Sequence, residues 1–173
     1  MQIVILCEDD QQENLARAYL KSRGRRPFRV VKSPDGSGSA EQFVIQRFPG
    51  ELEARRRDTV NRSLAVFLDA DSAGVARRHS QLDQACDAQN VDRRTPDDRV
   101  GVFVPARNIE TWLRYLEGQQ VTEQRDYSPP GPHRPIACRE HIRRLDQWCA
   151  TGNLPANAPA QLSLACQEVA RVL

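Results

Sequence analysis

Four short apolar runs punctuate the chain, each followed by polar residues and then by a stretch whose apolar positions recur at helical spacing. The runs are Ile3-Val4-Ile5-Leu6, Phe28-Arg29-Val30-Val31, Leu64-Ala65-Val66-Phe67-Leu68 and Val100-Gly101-Val102-Phe103-Val104. Three are continuous and rich in β-branched residues, the pattern of strands buried on both faces rather than the alternation of a half-solvated sheet. After the first run, Asp10 can cap a helix carrying Leu15, Ala16, Ala18, Tyr19 and Leu20, which Gly24 ends. A second helix is expected to start near Ser39, with Phe43, Val44 and Phe48 on its apolar face, and to break or kink at Pro49-Gly50. Residues 75–89 read as a polar surface helix, and Ile109, Trp112, Leu113 and Leu116 make one face of a fourth. Strand and helix alternate four times, so the fold class is α/β: a parallel sheet of about four strands covered by helices, with right-handed crossovers.

Beyond this alternation the pattern changes. Residues 118–135 are rich in Pro, Gly and charge, and Ser128-Pro129-Pro130-Gly131-Pro132 cannot continue a helix, so a surface loop is expected. Residues 136–149 and 159–173 then give two amphipathic helices, with Ile142, Leu145 and Trp148 on one and Leu162, Leu164, Val169 and Val172 on the other. These are expected to pack back on the sheet or cover one edge. The organisation is thus a sheet domain over 1–117, a loop over 118–135 and a helical extension over 136–173.

Composition adds a few exclusions. With 173 residues, 39% hydrophobic and 28% charged, the chain lies in the globular range, and no apolar run is long enough to span a membrane. The first residues lack a basic n-region and their apolar stretch ends at Cys7, which points to a cytoplasmic protein. Five cysteines without a CxxC pair fit reduced thiols there. A balance of 25 basic against 23 acidic residues does not mark a nucleic-acid binder by itself. All the basic residues except Lys21 and Lys32 are Arg, whose planar fork suits phosphate, although a G- and C-rich genome gives the same bias. The densest clusters are Arg23, Arg25, Arg26 and Arg29, then Arg55 to Arg57; Arg25 and Arg26 are candidate contacts to a nucleic-acid backbone, against the plain reading of solvated helix ends.

The carboxylates carry the chemistry. In an open parallel sheet, ligands sit at the carboxyl ends of the strands. The first run ends on Glu8-Asp9-Asp10, the third on Asp69-Ala70-Asp71, and the turn after the fourth leads to Glu110, while Glu13 lies a turn into the first helix. Acids gathered at one edge repel, so cations must neutralise them or water must solvate them. An all-oxygen set without nearby His or Cys selects Mg²⁺ or Mn²⁺. If the third strand continued, Asp69 and Asp71 would face the same side and could grip one ion. The plainer role, N-cap or first-turn partner of a helix dipole, is open to Asp10, Asp71 and Glu110.

A Glu closing the first strand and a DxD closing the third resemble the signature of the Toprim domain family. Cys7-Glu8-Asp9-Asp10-Gln11-Gln12-Glu13 resembles the C-E-G-x-x-T-E opening of small stand-alone Toprim proteins of bacterial defence and restriction loci, the OLD-like nucleases, with Asp9 in place of Gly and Gln12 in place of Thr. Asn108-Ile109-Glu110-Thr111-Trp112-Leu113 resembles their R-x-I-E-x-W-L segment, and the likeness spans about residues 2–117. The resemblance implies metal-assisted hydrolysis of phosphodiester bonds in anti-phage defence. Glu8 would be metal ligand or acid/base, Asp69 and Asp71 the metal-binding pair, and Glu13 and Glu110 further ligands. It also implies a nucleic-acid substrate, DNA ahead of RNA, and a partner ATPase. Arg107 is a candidate to stabilise charge on the phosphate.

Other motifs are weaker. Asp35-Gly36-Ser37-Gly38-Ser39 could cradle a phosphate on backbone N–H groups, with Ser37 and Ser39 at the strand, but it lacks a Walker Lys. His133, Cys138, His141 and Cys149 are zinc-type ligands without a zinc-module spacing, and Cys138, Ile142, Leu145 and Cys149 form a stripe more simply read as core. Trp112 and Trp148 read as packing residues. Two alternatives to the nuclease remain: a non-catalytic nucleic-acid-binding or regulatory subunit, and a receiver-like phosphoacceptor, which lacks the Lys it would need after Lys32.

Overall fold

A computed structural model describes residues 2–25, 28–34, 39–57, 62–128 and 139–173. The four apolar runs form strands β1 (Gln2–Cys7), β2 (Phe28–Lys32), β3 (Arg62–Phe67) and β4 (Val100–Phe103). They lie in one parallel sheet of order β2-β1-β3-β4, with Ile5 opposite Val30 on one side and Ala65 on the other. The helices are α1 (Asp10–Ser22), α2 (Ala40–Arg57), α3 (Val75–Ala88), α4 (Ile109–Leu116), α5 (Arg139–Thr151) and α6 (Ala160–Val172).

The continuous apolar runs are explained by a sheet with two buried faces. On β1, Ile3, Ile5 and Cys7 join a core with α1, α4, α5 and α6, whereas Val4 and Leu6 join a second core with α2 and α3. Strand β3 and the residue after it divide the same way, Ala65 and Phe67 to the first face and Leu64, Val66 and Leu68 to the second. Phe67 stacks on Phe103 at 4.7 Å between ring centroids, which ties β3 to β4 on the first face.

Three local expectations are corrected. The cap of α1 is Asp9, not Asp10: Asp9 is extended (φ −143°) and its carboxylate accepts the Gln12 N–H at 2.8 Å. Of the break or kink expected at Pro49, the break does not occur: helix α2 runs on to Arg57. Burying Phe48 (1% exposed) and Leu52 (0%) on the second core contributes about 1.5–3 kcal/mol each, enough to offset the roughly 3 kcal/mol that an interior proline costs. The expectation of reduced thiols fails at Cys149 and Cys166, which form a disulfide joining α5 to α6, while Cys7 and Cys86 are free and buried.

The C-terminal helices complete the molecule rather than hang from it. Ile142, Leu145, Leu162, Ala165 and Val172 belong to the first core, and α6 packs on β4, one of the two edge strands of the sheet. Glu168 of α6 accepts the Val102 N–H at 2.8 Å, satisfying an edge donor, and pairs with Arg94. Gly101 permits the approach: a Cβ there would lie 2.7 Å from Val172 Cγ2 and 2.9 Å from the Glu168 carbonyl. Among the described residues no helix is long and apolar enough to cross a membrane.

Candidate functional site

The strand order creates one topological switch point. From β1 the chain passes to β2 on one side and then returns to place β3 on the other, so the crevice between the carboxyl ends of β1 and β3 is where an open α/β sheet binds ligands. Glu8 follows β1 and Asp69 follows β3, one on each side of that crevice.

The two carboxylates are joined. Glu8 Oε1 accepts the Asp69 backbone N–H at 2.5 Å. Gln12, fully buried on the first turn of α1, clasps both: its Nε2 donates to Asp69 Oδ1 at 2.9 Å and to Glu8 Oε1 at 3.3 Å, and its Oε1 accepts the Glu8 N–H at 2.9 Å. Asp9 is drawn back to cap α1, which positions Gln12 over the strand ends.

Electrostatics make this pair costly to ionise. Burial above all, with the charges of Asp71 and Asp9, pushes Glu8 up to about 7, against the lowering effect of the Asp69 N–H and Gln12. Asp69, 9% exposed, is raised well above the carboxylate range, first by burial, then by Glu8, Asp9 and Glu110. The charges that raise both groups are carboxylates, so each carboxylate makes the other costlier to ionise.

The other predicted residues divide. Asp71 is not in line with Asp69, because β3 ends at Phe67 and Asp71 takes a left-handed φ of 50°, its carboxylate 3.6 Å from the Arg78 guanidinium. It bears on Glu8 through charge, as Glu110 at the start of α4 bears on Asp69. Glu13 turns to the β2 side, where it pairs with Arg17 at 2.6 Å and Lys32 at 3.6 Å; Lys32 also binds Asp10. Arg107 lies beyond Asp71, its carbonyl accepting the Asp71 N–H at 2.8 Å and its guanidinium 3.3 Å from Asp126.

Several basic residues are committed to structure. Arg25 donates to the Leu173 carbonyl at 2.9 Å, and Arg23, Arg29 and Arg56 pair with Asp146, Glu51 and Asp98. Ser39 is exposed and its Oγ accepts the Gln42 N–H at 3.4 Å near the start of α2; Arg26 and Ser37, with His133 and Cys138, lie outside the described residues. Of the zinc-type set, Cys149 is in a disulfide and so is not a thiolate ligand. Trp112 is buried in the core and Trp148 packs against Tyr115, as packing residues should.

Two residues of the site carried no sequence signal strong enough to single them out. Gln12 differs from the Thr of the resembling motif, yet an amide that donates and accepts at once is what two carboxylates and a backbone N–H need. Arg78 sits in a helix read as polar surface but is 2% exposed, donating to the Asp69 carbonyl at 2.9 Å and to Glu41 at 2.5 Å.

A hard divalent cation fits this donor chemistry: oxygen ligands, buried, mutually repelling and held toward protonation. Glu8 and Asp69 are the residues that could hold one, with the charges of Asp71 and Glu110 bearing on them. Among the described residues no three His, Cys, Asp or Glu side chains are arranged as a preformed cage. No protein-family model, curated protein or solved structure matches the chain.

Proposed function

We infer that the chain is a Mg²⁺- or Mn²⁺-dependent phosphodiesterase acting on nucleic acid, of the Toprim type that its Glu8 and Asp69-Ala70-Asp71 resemble. The observation that carries this reading is the buried Glu8–Asp69 pair at the switch point, built from oxygen donors that repel unless a cation or proton lies between them. A bound dication would polarise a phosphoryl oxygen and acidify a water.

The chain's own groups supply the rest. Gln12 fixes both carboxylates, so little reorganisation is left for the moment of reaction. Glu8 Oε1 is engaged by the Asp69 N–H and Gln12, which leaves Oε2 to ligate or to accept a proton. A carboxyl titrating at about 7 is matched to proton transfer at neutral pH.

The test is cleavage of plasmid, linear duplex, single-stranded DNA and RNA with Mg²⁺, Mn²⁺ or EDTA, using Glu8→Ala and Asp69→Ala as controls. Cleavage that needs metal and both carboxylates supports the reading; equal cleavage by the variants overturns it. A second reading, a non-catalytic nucleic-acid-binding subunit, is favoured by the absence of a three-residue cage among the described residues. Binding without cleavage under every metal would establish that one instead.

A further inference from the structure

Beyond the carboxylate pair, on the far side of Asp71, lies an open cavity of about 620 Å³. That volume falls within the range of about 300–1,000 Å³ typical of ligand pockets. Its walls include Glu41, Asp71, Arg77, Arg78, Gln81 and Arg107. We propose that this cavity is a phosphate subsite that holds the backbone of the bound strand beside the scissile bond, with Arg77 and Arg107 as its cations; the proposal rests on the phosphodiesterase reading and names where its substrate lies.

The charge bookkeeping of the walls leads there. Arg78 is 2% exposed and spent on protein partners: it holds the Asp69 carbonyl, Glu41 at 2.5 Å, Gln81 at 3.0 Å and Asp71 at 3.6 Å. It thereby neutralises much of both carboxylates that would otherwise repel an anion. Arg77 is exposed, and among the described residues no ion pair engages it. Arg107 is 28% exposed; its Nε is shielded from solvent without a hydrogen-bond partner, and its pair at 3.3 Å is with Asp126, 51% exposed. An ion pair so open to water holds only weakly and can exchange for phosphate. Two guanidinium forks thus face one cavity with capacity to spare, and bidentate contact to phosphate oxygens is what such forks do best.

Position makes the cavity a continuation of the crevice. Arg78 binds the Asp69 carbonyl, and the Asp71 N–H binds the Arg107 carbonyl at 2.8 Å, so one loop, residues 68–74, forms the wall between carboxylate pair and arginines. A strand whose scissile phosphate meets Glu8 and Asp69 would lay a neighbouring phosphate in the cavity. Contacts of this kind fix register without reading sequence.

The experiment is fluorescence anisotropy with fluorescein-labelled single-stranded and duplex DNA 20-mers of two unrelated sequences, in Ca²⁺, over a salt series. Arg77→Gln is expected to weaken binding about tenfold at low salt, equally for both sequences, and to lower the slope of log affinity against log salt by about one. Arg77→Lys should keep most of the affinity, and Arg143→Gln on the remote α5 should change nothing. Wild-type affinity and slope in Arg77→Gln would overturn the subsite, as would a loss equalled by Arg143→Gln. Failure of the subsite is separable from failure of the phosphodiesterase reading. If Glu8-dependent cleavage persists while Arg77→Gln binds normally, the subsite falls alone; if Arg77→Gln loses binding while no metal supports cleavage, the subsite stands and the enzymatic reading falls. Competition by inorganic phosphate alone, with no Arg77-dependent binding of DNA, would overturn a strand-binding role.

Discussion

Replacing Gln12 by Leu tests the clasp that organises the site. The side chain is fully buried, and leucine is close to it in size, so the change removes hydrogen bonds more than volume. It deserts the Glu8 N–H and Asp69 Oδ1, each bonded to Gln12 at 2.9 Å, while Glu8 Oε1 keeps the Asp69 N–H. Two deserted buried groups at about 1–3 kcal/mol each give an expected loss of about 2–6 kcal/mol. The loss should also depend on pH. Gln12 donates to Glu8 and so favours its ionised form; without it, the chain with Glu8 ionised at pH 8 suffers more than the chain with Glu8 protonated at pH 5. Urea denaturation of wild type and Gln12→Leu at both pH values reads this out, with midpoints converted through a common slope. A loss below about 1 kcal/mol at both, or one larger at pH 5, refutes the reasoning.

Other outcomes follow from the same geometry. Glu8 keeps its proton to about 7 in the native chain against an ordinary 4.5, so the native state binds more protons in that window and stability falls as pH rises through it, by about 3 kcal/mol. Glu8→Gln should flatten that slope, and a slope unchanged in the variant contradicts the assignment. Asp71→Gly should raise stability by up to about 1 kcal/mol, because φ is 50° there, while lowering metal-dependent cleavage; thermal melts and cleavage rates should therefore move in opposite directions. Gly101→Ala drives a methyl to 2.7 Å from Val172 and should cost about 1–3 kcal/mol in denaturant melts, with neutrality ruling out the tight seating of α6 on β4.

Much of the fold was legible because buried parallel strands leave an unmistakable trace: Val4 and Leu6 are as apolar as Ile3 and Ile5 since each pair meets a different core. The joining of Glu8 and Asp69 followed from strand ends alone. The departures have common physical causes. A helix running through Pro49 and an arginine sunk at position 78 are decided by tertiary partners, Phe48 and Leu52 in one case, Glu41 and the Asp69 carbonyl in the other, which no local window contains. The surroundings of Asp71 and Glu13 were hidden for the same reason: a left-handed turn sets Asp71 beside Arg78, and Arg17 and Lys32 pair with Glu13 on the β2 side. The bond between Cys149 and Cys166 depends on how α5 and α6 pack, and cysteine spacing says nothing of that.

Titrating Mn²⁺ into the protein and following the free ion by electron paramagnetic resonance shows whether Glu8 and Asp69 form a divalent-cation site. Wild type is expected to remove free Mn²⁺ from solution, Mg²⁺ to compete it off, and Glu8→Gln and Asp69→Asn each to weaken binding at least about tenfold. Mn²⁺ binding equal in wild type and both variants would contradict such a site.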